Sequence, residues 1–299
     1  MDHRRALLVD AFTDVPFAGN AAGVVPDGRG LADSQMQQIA NELGASETAF
    51  VLASDPADLR LRFFTPTTEV SLCGHATVAS LAHQYGDGAI EAGEHTVETD
   101  AGVLDVAITD DGRVWLTGTE PTVRDVTVAP ERLQTALDLS TEAREAVSEL
   151  PLAVASTGLP FLIVPVGYFS DVSEATPDMA AVEKLADEVG AVGVYVFTFE
   201  TVTANATLHA RAFVPGAGIP EDPVTGTASG AAGAYLQRAD AFDEMPEEMT
   251  FEQGHAVDRP GRVSVRVGPD RVSVGGQAAT ALDGEIAIPP DRDEDILEA

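Results

Sequence analysis

Cys73-Gly74-His75-Ala76-Thr77 returns 152 residues further on as Thr225-Gly226-Thr227-Ala228-Ser229. The echo is not isolated. Arg62-Phe63-Phe64-Thr65-Pro66 returns as Arg211-Ala212-Phe213-Val214-Pro215, and Ala11-Phe12-Thr13-Asp14-Val15-Pro16-Phe17 as Ala155-Ser156-Thr157-Gly158-Leu159-Pro160-Phe161. The order is kept and the offset drifts by only a few residues, which is the signature of a duplicated structural unit. Each copy of the first motif opens an unusual helix. Cys73–Tyr85 is apolar on nearly every face, and Gly226–Leu236 is almost entirely Gly, Ala and Ser. A helix with no polar face must be enclosed, and small side chains let strands approach it closely.

Outward from these helices the halves keep matching. Asp33 caps a predicted helix whose apolar positions are Met36, Ile39, Ala40 and Leu43, ending at Gly44. Pro177 and Asp178 open its counterpart, with Met179, Val182, Leu185, Ala186 and Val189, ending at Gly190. Strand patterns follow at 48–53 and 61–64 in the first half and at 192–199 and 206–214 in the second. Shorter ones occupy 103–108, 113–116, 262–267 and 271–274, and 130–150 reads as helix near the junction. The expected fold is α+β: two pseudo-symmetric domains, residues 1–125 and 126–299, each a curved sheet around a central buried helix. The acidic, proline-containing end, about 289–299, reads as a solvated tail.

Composition narrows the function. The chain has 299 residues, 49 acidic against 17 basic, for a formal charge of −32. That balance excludes the basic field nucleic-acid binding needs and disfavours anionic membrane surfaces. No apolar run reaches the ~18 residues that span a bilayer, and the first ten residues lack a signal-peptide pattern. One cysteine, Cys73, excludes an intrachain disulfide framework. The reading is a soluble cytoplasmic protein. Lys184 is the single lysine, so Arg carries almost all positive charge, and the acidity points to a salt-adapted source.

The chemistry concentrates at the two helix starts. Gly74-His75 and Gly226-Thr227 each place free N–H groups at a helix N-terminus, a ready anion site, and glycine lets a ligand approach the backbone. Pseudo-symmetry brings the two starts face to face, so a small carboxylate is the expected ligand. Glu47 stands where an apolar strand begins, and the matching stretch near Gly193 has no carboxylate. An acid on one side only suits asymmetric proton transfer. Asp222, in Pro220-Glu221-Asp222-Pro223, can hold a substrate amine or hydroxyl; Glu69, before the first helix start, can order its loop. His75 is the residue type that exchanges a proton near neutral pH. Plainer roles are open to each: glycines cap helices, Asp-Pro opens turns, and Glu47 can be a solvated strand-start residue. The remaining histidines, His3, His83, His95, His209 and His255, show no ligand spacing, so no metal is expected. There is no phosphate-binding glycine motif, so no nucleotide cofactor is expected either. The repeat partner of Cys73 is Thr225, which excludes a two-thiol racemase mechanism. A thiol/hydroxyl pair, Cys73 with Thr225, remains a second enzymatic reading, racemase- or dehydratase-like. A carboxylate-binding protein without turnover is a third.

With these segments in view the chain resembles the phenazine-biosynthesis PhzF-like family, within the diaminopimelate-epimerase fold. The segments that carry the resemblance include Phe17-Ala18-Gly19-Asn20, Ser46-Glu47-Thr48-Ala49-Phe50, Leu72-Cys73-Gly74-His75-Ala76-Thr77, Glu221-Asp222-Pro223-Val224-Thr225-Gly226-Thr227-Ala228 and Gln253-Gly254. The resemblance implies a cofactor-free isomerase, commonly a homodimer, with its site between two similar domains. It implies that Glu47 moves a proton between substrate carbons, while the other catalytic positions, His75 and Asp222, with the backbone at Gly74 and Gly226, hold or polarise the substrate. Gly74, Gly226, Thr227, Cys73 and Asn20 are then the substrate-binding positions. Thr227 stands where the family usually has Ser, and Ser71 where Asp is frequent.

The charge generates a direct expectation. In dilute buffer, with a Debye length of ~30 Å at 0.01 M, carboxylate repulsion acts across the whole molecule; at molar salt, ~3 Å, it is confined to contacts. Melting temperature and dimerisation are expected to climb steeply between about 0.05 and about 3 M KCl, beyond any effect of sucrose as an exclusion control. A flat or falling melting curve contradicts salt adaptation.

Overall fold

The computed structural model describes residues 2–291. The chain forms two compact units: one runs up to Leu116 and resumes at Gly276, the other is Thr117–Gly275. The sequence reading sets the boundary at 125 and gives everything after it to the second domain. The boundary lies earlier, and the last strand returns to the first unit. The expected tail overlaps this strand's neighbourhood only to residue 291; 292–299 lie outside the described residues.

The first unit contains β1 (His3–Ala11), β2 (Asn20–Val25), α1 (Asp33–Leu43), β3 (Thr48–Leu52), β4 (Leu59–Phe64), β5 (Glu69–Val70), α2 (Gly74–Gly86), β6 (Gly93–Thr99), β7 (Gly102–Ile108) and β8 (Val114–Thr117). The second contains β9 (Thr122–Asp125), α3 (Pro130–Leu137), α4 (Thr141–Glu145), β10 (Ala153–Ser156), β11 (Pro160–Pro165), α5 (Phe169–Ser173), α6 (Met179–Val189), β12 (Gly193–Thr198), β13 (Leu208–Val214), β14 (Ile219–Asp222), α7 (Gly226–Arg238), β15 (Met249–Gln253), β16 (Gly261–Val267) and β17 (Val272–Gly276). β18 (Ala278–Ala287) completes the first unit by pairing antiparallel with β1 along its length.

Pairing directions repeat strand for strand. In the first unit β18–β1 and β1–β2 are antiparallel, β2–β3 parallel, β3–β4 antiparallel, β4–β6 parallel and β6–β7 antiparallel. In the second, β9–β10 and β10–β11 are antiparallel, β11–β12 parallel, β12–β13 antiparallel, β13–β15 parallel and β15–β16 antiparallel. Each unit is thus a curved sheet around one helix. α2 packs on β1, β2, β3, β7 and β18; α7 packs on β9, β10, β11 and β16.

The outer faces of β3 and β4 in the first unit and of β11, β12 and β13 in the second are covered by helices. α1 seats Met36, Ile39 and Ala40 against Phe50 and Phe64, whose rings meet edge to face at 5.5 Å. α3 and α6 seat Leu133, Leu137, Val182 and Leu185 against Leu162, Val194 and Phe213. Double burial explains why β12 and β13 contain only buried residues and read as continuous runs rather than alternating ones. Local details differ from the sequence reading at two points. Residues 130–150 form two short helices, α3 and α4, broken by Asp138 in left-handed geometry at φ 58°. Asp33 is the first residue of α1 and not its cap: Gln35 accepts from the Ala32 N–H, and the Asp33 carboxylate turns to Arg62 at 2.6 Å. Asp178 does cap α6, accepting from the Ala181 N–H at 3.1 Å.

Close approach of sheet to helix decides the small residues of α7. A Cβ on Gly233 would stand 2.6 Å from Val265 Cγ1 and 3.1 Å from Val267 Cγ2. Replacing this glycine by alanine gains up to ~1 kcal/mol of helix propensity but overpacks the core at a cost of about 1–3 kcal/mol. G233A is therefore expected to unfold at lower denaturant concentration than the parent chain; an unchanged or higher midpoint refutes the close-packing account.

Candidate active site

The first helix start is assembled by a short α1–β3 connection. Gly44 closes α1 in left-handed geometry at φ 68°, and three residues later the Glu47 carbonyl accepts from the Gly23 N–H of β2 at 2.9 Å. That bond fixes Glu47 at the mouth of the sheet. At the start of α2, the Cys73 carbonyl accepts from both the N–H and the hydroxyl of Thr77. The side chains converge. Glu47 Oε2 lies 3.3 Å from His75 Nε2, Ser46 Oγ 3.4 Å from the same nitrogen, and Cys73 Sγ 3.4 Å from His75 Nδ1. Glu47 and His75 are mostly buried, at 18% and 13% side-chain exposure. Glu47 Oε2 is buried and accepts no hydrogen bond, with the His75 Nε2 atom beside it. A carboxylate touching an imidazole in this setting can take up and deliver a proton. Glu47, Cys73 and His75 also bring their donor atoms within 4.8 Å of one another, close enough for one metal ion. No ligand spacing in the sequence revealed this, because Glu47 is far from Cys73 and His75 along the chain.

The second helix start is built from different chemistry. Asp222 Oδ2 accepts from the Thr225 hydroxyl at 2.6 Å. Gln253, buried on β15, donates to the Asp222 carbonyl at 2.6 Å and to Thr225 Oγ1 at 3.1 Å, while its own carbonyl oxygen accepts from the Thr225 N–H at 3.2 Å. Gly254 follows at φ +87°, where a Cβ would collide with the Arg259 carbonyl oxygen at 2.2 Å. Glu252 points to the opposite side of the strand. Burial alone would raise its carboxyl, but His209 and the N–H groups of Val202 and Thr203 hold it down to about 2. It stays ionised and ties the 202–203 loop to β15, which fixes Gln253 toward Thr225. Thr227 accepts through its carbonyl from the Thr157 hydroxyl at 3.3 Å.

Sequence reasoning gave Gln253 no role; its only signal was its place in a segment of family resemblance. Glu69, expected to order the loop before the first helix start, is one half of a matched pair of braces whose arginine partners the sequence reading did not assign. Arg62 on β4 grips Glu69 with two bonds of 2.6 and 2.9 Å, and Arg211 on β13 grips Glu221 with two of 2.9 and 2.7 Å. Each guanidinium also stacks on a phenylalanine, Phe64 or Phe213, at 5.2 and 4.9 Å. Each brace fixes the short strand, β5 or β14, that leads into a helix start. The four residues stood at matching repeat positions, so the signal was present. Asn20 is buried at the first position of β2, opposite Ala11.

The family described as "Phenazine biosynthesis-like protein" matches residues 9–284. The chain is 38% identical over 272 residues to an uncharacterized isomerase, YfhB, of Bacillus subtilis, covering 89% of this chain and 92% of that one. It is 40% identical over 291 residues to an uncharacterized isomerase of Deinococcus radiodurans, covering 92% of each. The crystal structure of a PhzF-family phenazine biosynthesis protein from Bacillus anthracis superposes with a TM-score of 0.89 at 33% identity, over 96% of this chain and all of that one. A hydroxyproline epimerase from Agrobacterium vitis shares the fold at a TM-score of 0.60 and 12% identity, over 96% of this chain and 91% of that one. Fold and relatives together define the class: an isomerase built on the doubled, diaminopimelate-epimerase-like sheet-and-helix unit. Within that class the chain belongs to the phenazine biosynthesis-like, or PhzF, family.

Gly74 offers a test of what its position is for. Its φ is not in the left-handed region, and a Cβ there would meet only Leu116 Cδ1, at an ordinary 3.9 Å. Nothing in the first unit's packing demands glycine. G74A is therefore expected to melt at or above the parent temperature while losing about 10²-fold in kcat/KM, the scale of a ~1 Å misplacement of substrate. A variant that loses stability instead shows that the glycine serves the fold.

Proposed function

We propose that the protein is a cofactor-independent isomerase that moves a proton on a small carboxylic acid. The observation that supports this reading best is the mostly buried Glu47 carboxylate, whose Oε2 lies 3.3 Å from Nε2 of His75, the second residue of a helix that starts at glycine and has no side-chain cap. Glu47 removes a proton from a substrate carbon and returns it to a carbon, so no net oxidation occurs and no co-reactant is consumed. His75 receives or steadies the proton on Glu47. The backbone at Gly74 and Gly226, with Thr227, Cys73 and Asn20, binds the carboxylate region. Asp222, oriented by Thr225 and Gln253, holds the substrate's polar substituent. Salt adaptation, a homodimeric state and a cytoplasmic location belong to the same reading; among the described residues, no helix is long and apolar enough to cross a membrane.

Small carboxylic acids screened in D2O reveal the substrate by deuterium appearing at a C–H position. With that substrate, E47Q is expected to lose about 10²–10⁴-fold in kcat, the usual worth of a placed acid/base. A loss under tenfold in a folded variant removes Glu47 from the mechanism, and an absence of exchange in any bound acid favours a binding protein without turnover. The thiol/hydroxyl reading retains one supporting observation, the 3.4 Å approach of Cys73 Sγ to His75 Nδ1, which can draw off the thiol proton. C73A separates the two: a loss as large as that of E47Q transfers the central role to the thiol, while turnover within about tenfold of the parent leaves it with Glu47.

A further inference from the structure

The Glu47–His75–Cys73 cluster has a coordination chemistry separate from proton transfer. A zinc ion bound at ~2.0–2.1 Å by oxygen and nitrogen and ~2.3 Å by sulfur sets tetrahedral ligand atoms about 3.3–3.6 Å apart. Around His75 Nε2, Glu47 Oε2 lies at 3.3 Å and Cys73 Sγ at 3.9 Å. All three donors lie within 4.8 Å of one another, and because Cys73 Sγ now stands nearer His75 Nδ1, at 3.4 Å, a turn of the imidazole and of the Cys73 side chain closes them into a zinc half-shell. Glu47 Oε2 is buried and accepts no hydrogen bond, with His75 Nε2 beside it.

We infer that Glu47 Oε2, His75 Nε2 and Cys73 Sγ form a reversible Zn²⁺ site that, when filled, withdraws Glu47 from proton transfer. Zn²⁺ replaces the Cys73 thiol proton, which leaves to solvent, and the thiolate, imidazole and carboxylate supply three ligands. Water or a substrate oxygen completes the fourth position, with Ser46 Oγ on its flank, 3.4 Å from His75 Nε2. A thiolate and an imidazole in the set select zinc over magnesium or calcium, which prefer all-oxygen sites. The ligands are anchored by their own backbones: Glu47 through Gly23, and Cys73 through Thr77. The second repeat has Thr225 and Thr227 where the first has Cys73 and His75, so the duplication yields one such site and not two. Among the described residues, it is the group of His, Cys, Asp and Glu side chains that meets this spacing.

Co²⁺ is the probe, because a surface of net charge −32 attracts cations everywhere and only a thiolate gives the near-ultraviolet charge-transfer band. The full chain, reduced and in high KCl to suppress diffuse binding, is titrated with Co²⁺ and then with Zn²⁺. The expected result is a band that saturates at one equivalent and is erased by Zn²⁺, and that can come only from Cys73, the chain's one cysteine. E47Q and H75Q, checked for fold by circular dichroism, should each weaken Co²⁺ binding at least tenfold; where H75Q does not fold, E47Q decides. The inference is overturned if no band forms up to millimolar Co²⁺, or if the band forms with parental affinity in the folded variants. This readout is independent of turnover. Binding without isomerase activity leaves the site standing, and activity without binding removes the site alone.

Discussion

Enclosure of a helix that has no polar face governs this molecule. α2 and α7 can exist only inside a sheet that wraps them, and the sheet can close on them only where their side chains are small. Gly233 against Val265 and Val267 is the limiting case, with no room for a methyl group. From this constraint the remaining architecture follows. The strands must curve, their outer faces need covering by α1 or by α3 and α6, and strands buried on both sides lose the alternation that marks a half-exposed sheet.

The same enclosure leaves the helix ends as the places where backbone groups lack partners. A helix sheathed along its length still has N-terminal N–H groups without intrahelical partners. Both starts lack a side-chain cap, at Cys73 and at Thr225. The Arg62–Glu69 and Arg211–Glu221 pairs hold the strands that lead there. Arg211 and Glu221 are both about nine-tenths buried, so removing one partner leaves a buried charge, at a cost of about 3–5 kcal/mol. Duplication supplied two equivalent frames, and divergence supplied the asymmetry: Glu47, Cys73 and His75 in one, and Asp222, Thr225 and Gln253 in the other.

Much of this was legible in the sequence for definite reasons. The repeat exposed the doubling, the apolar and small-residue helices exposed the enclosure, and Gly44, Asp178 and Gly190 marked helix ends by local backbone chemistry. What stayed hidden depends on long-range placement. β18 has mostly half-exposed and exposed positions and a composition of Ala, Thr, Asp and Gly, so nothing local marks it as a strand, and its partner β1 lies at the other end of the chain. Gln253 earns its role only because Glu252, on the opposite side of β15, is locked to the 202–203 loop. The convergence of Glu47 on Cys73 and His75 depends on a backbone bond to Gly23. Asp33 looked like a cap because Asp caps helices, but Arg62, on a strand that follows in the chain, offers it a stronger partner.

The return of β18 to β1 also sets an order of assembly. On the ribosome β1 emerges well before its partner, and the sheet cannot close around α2 until Ala278–Ala287 has been made. The second unit, continuous from Thr117 to Gly275, has all its strands in hand earlier. The later-encoded half is thus the one that can finish first. Until β18 arrives, β1 keeps an open edge along a strand that carries apolar Leu7 and Val9, a stretch that a nascent chain must shield from pairing with its neighbours.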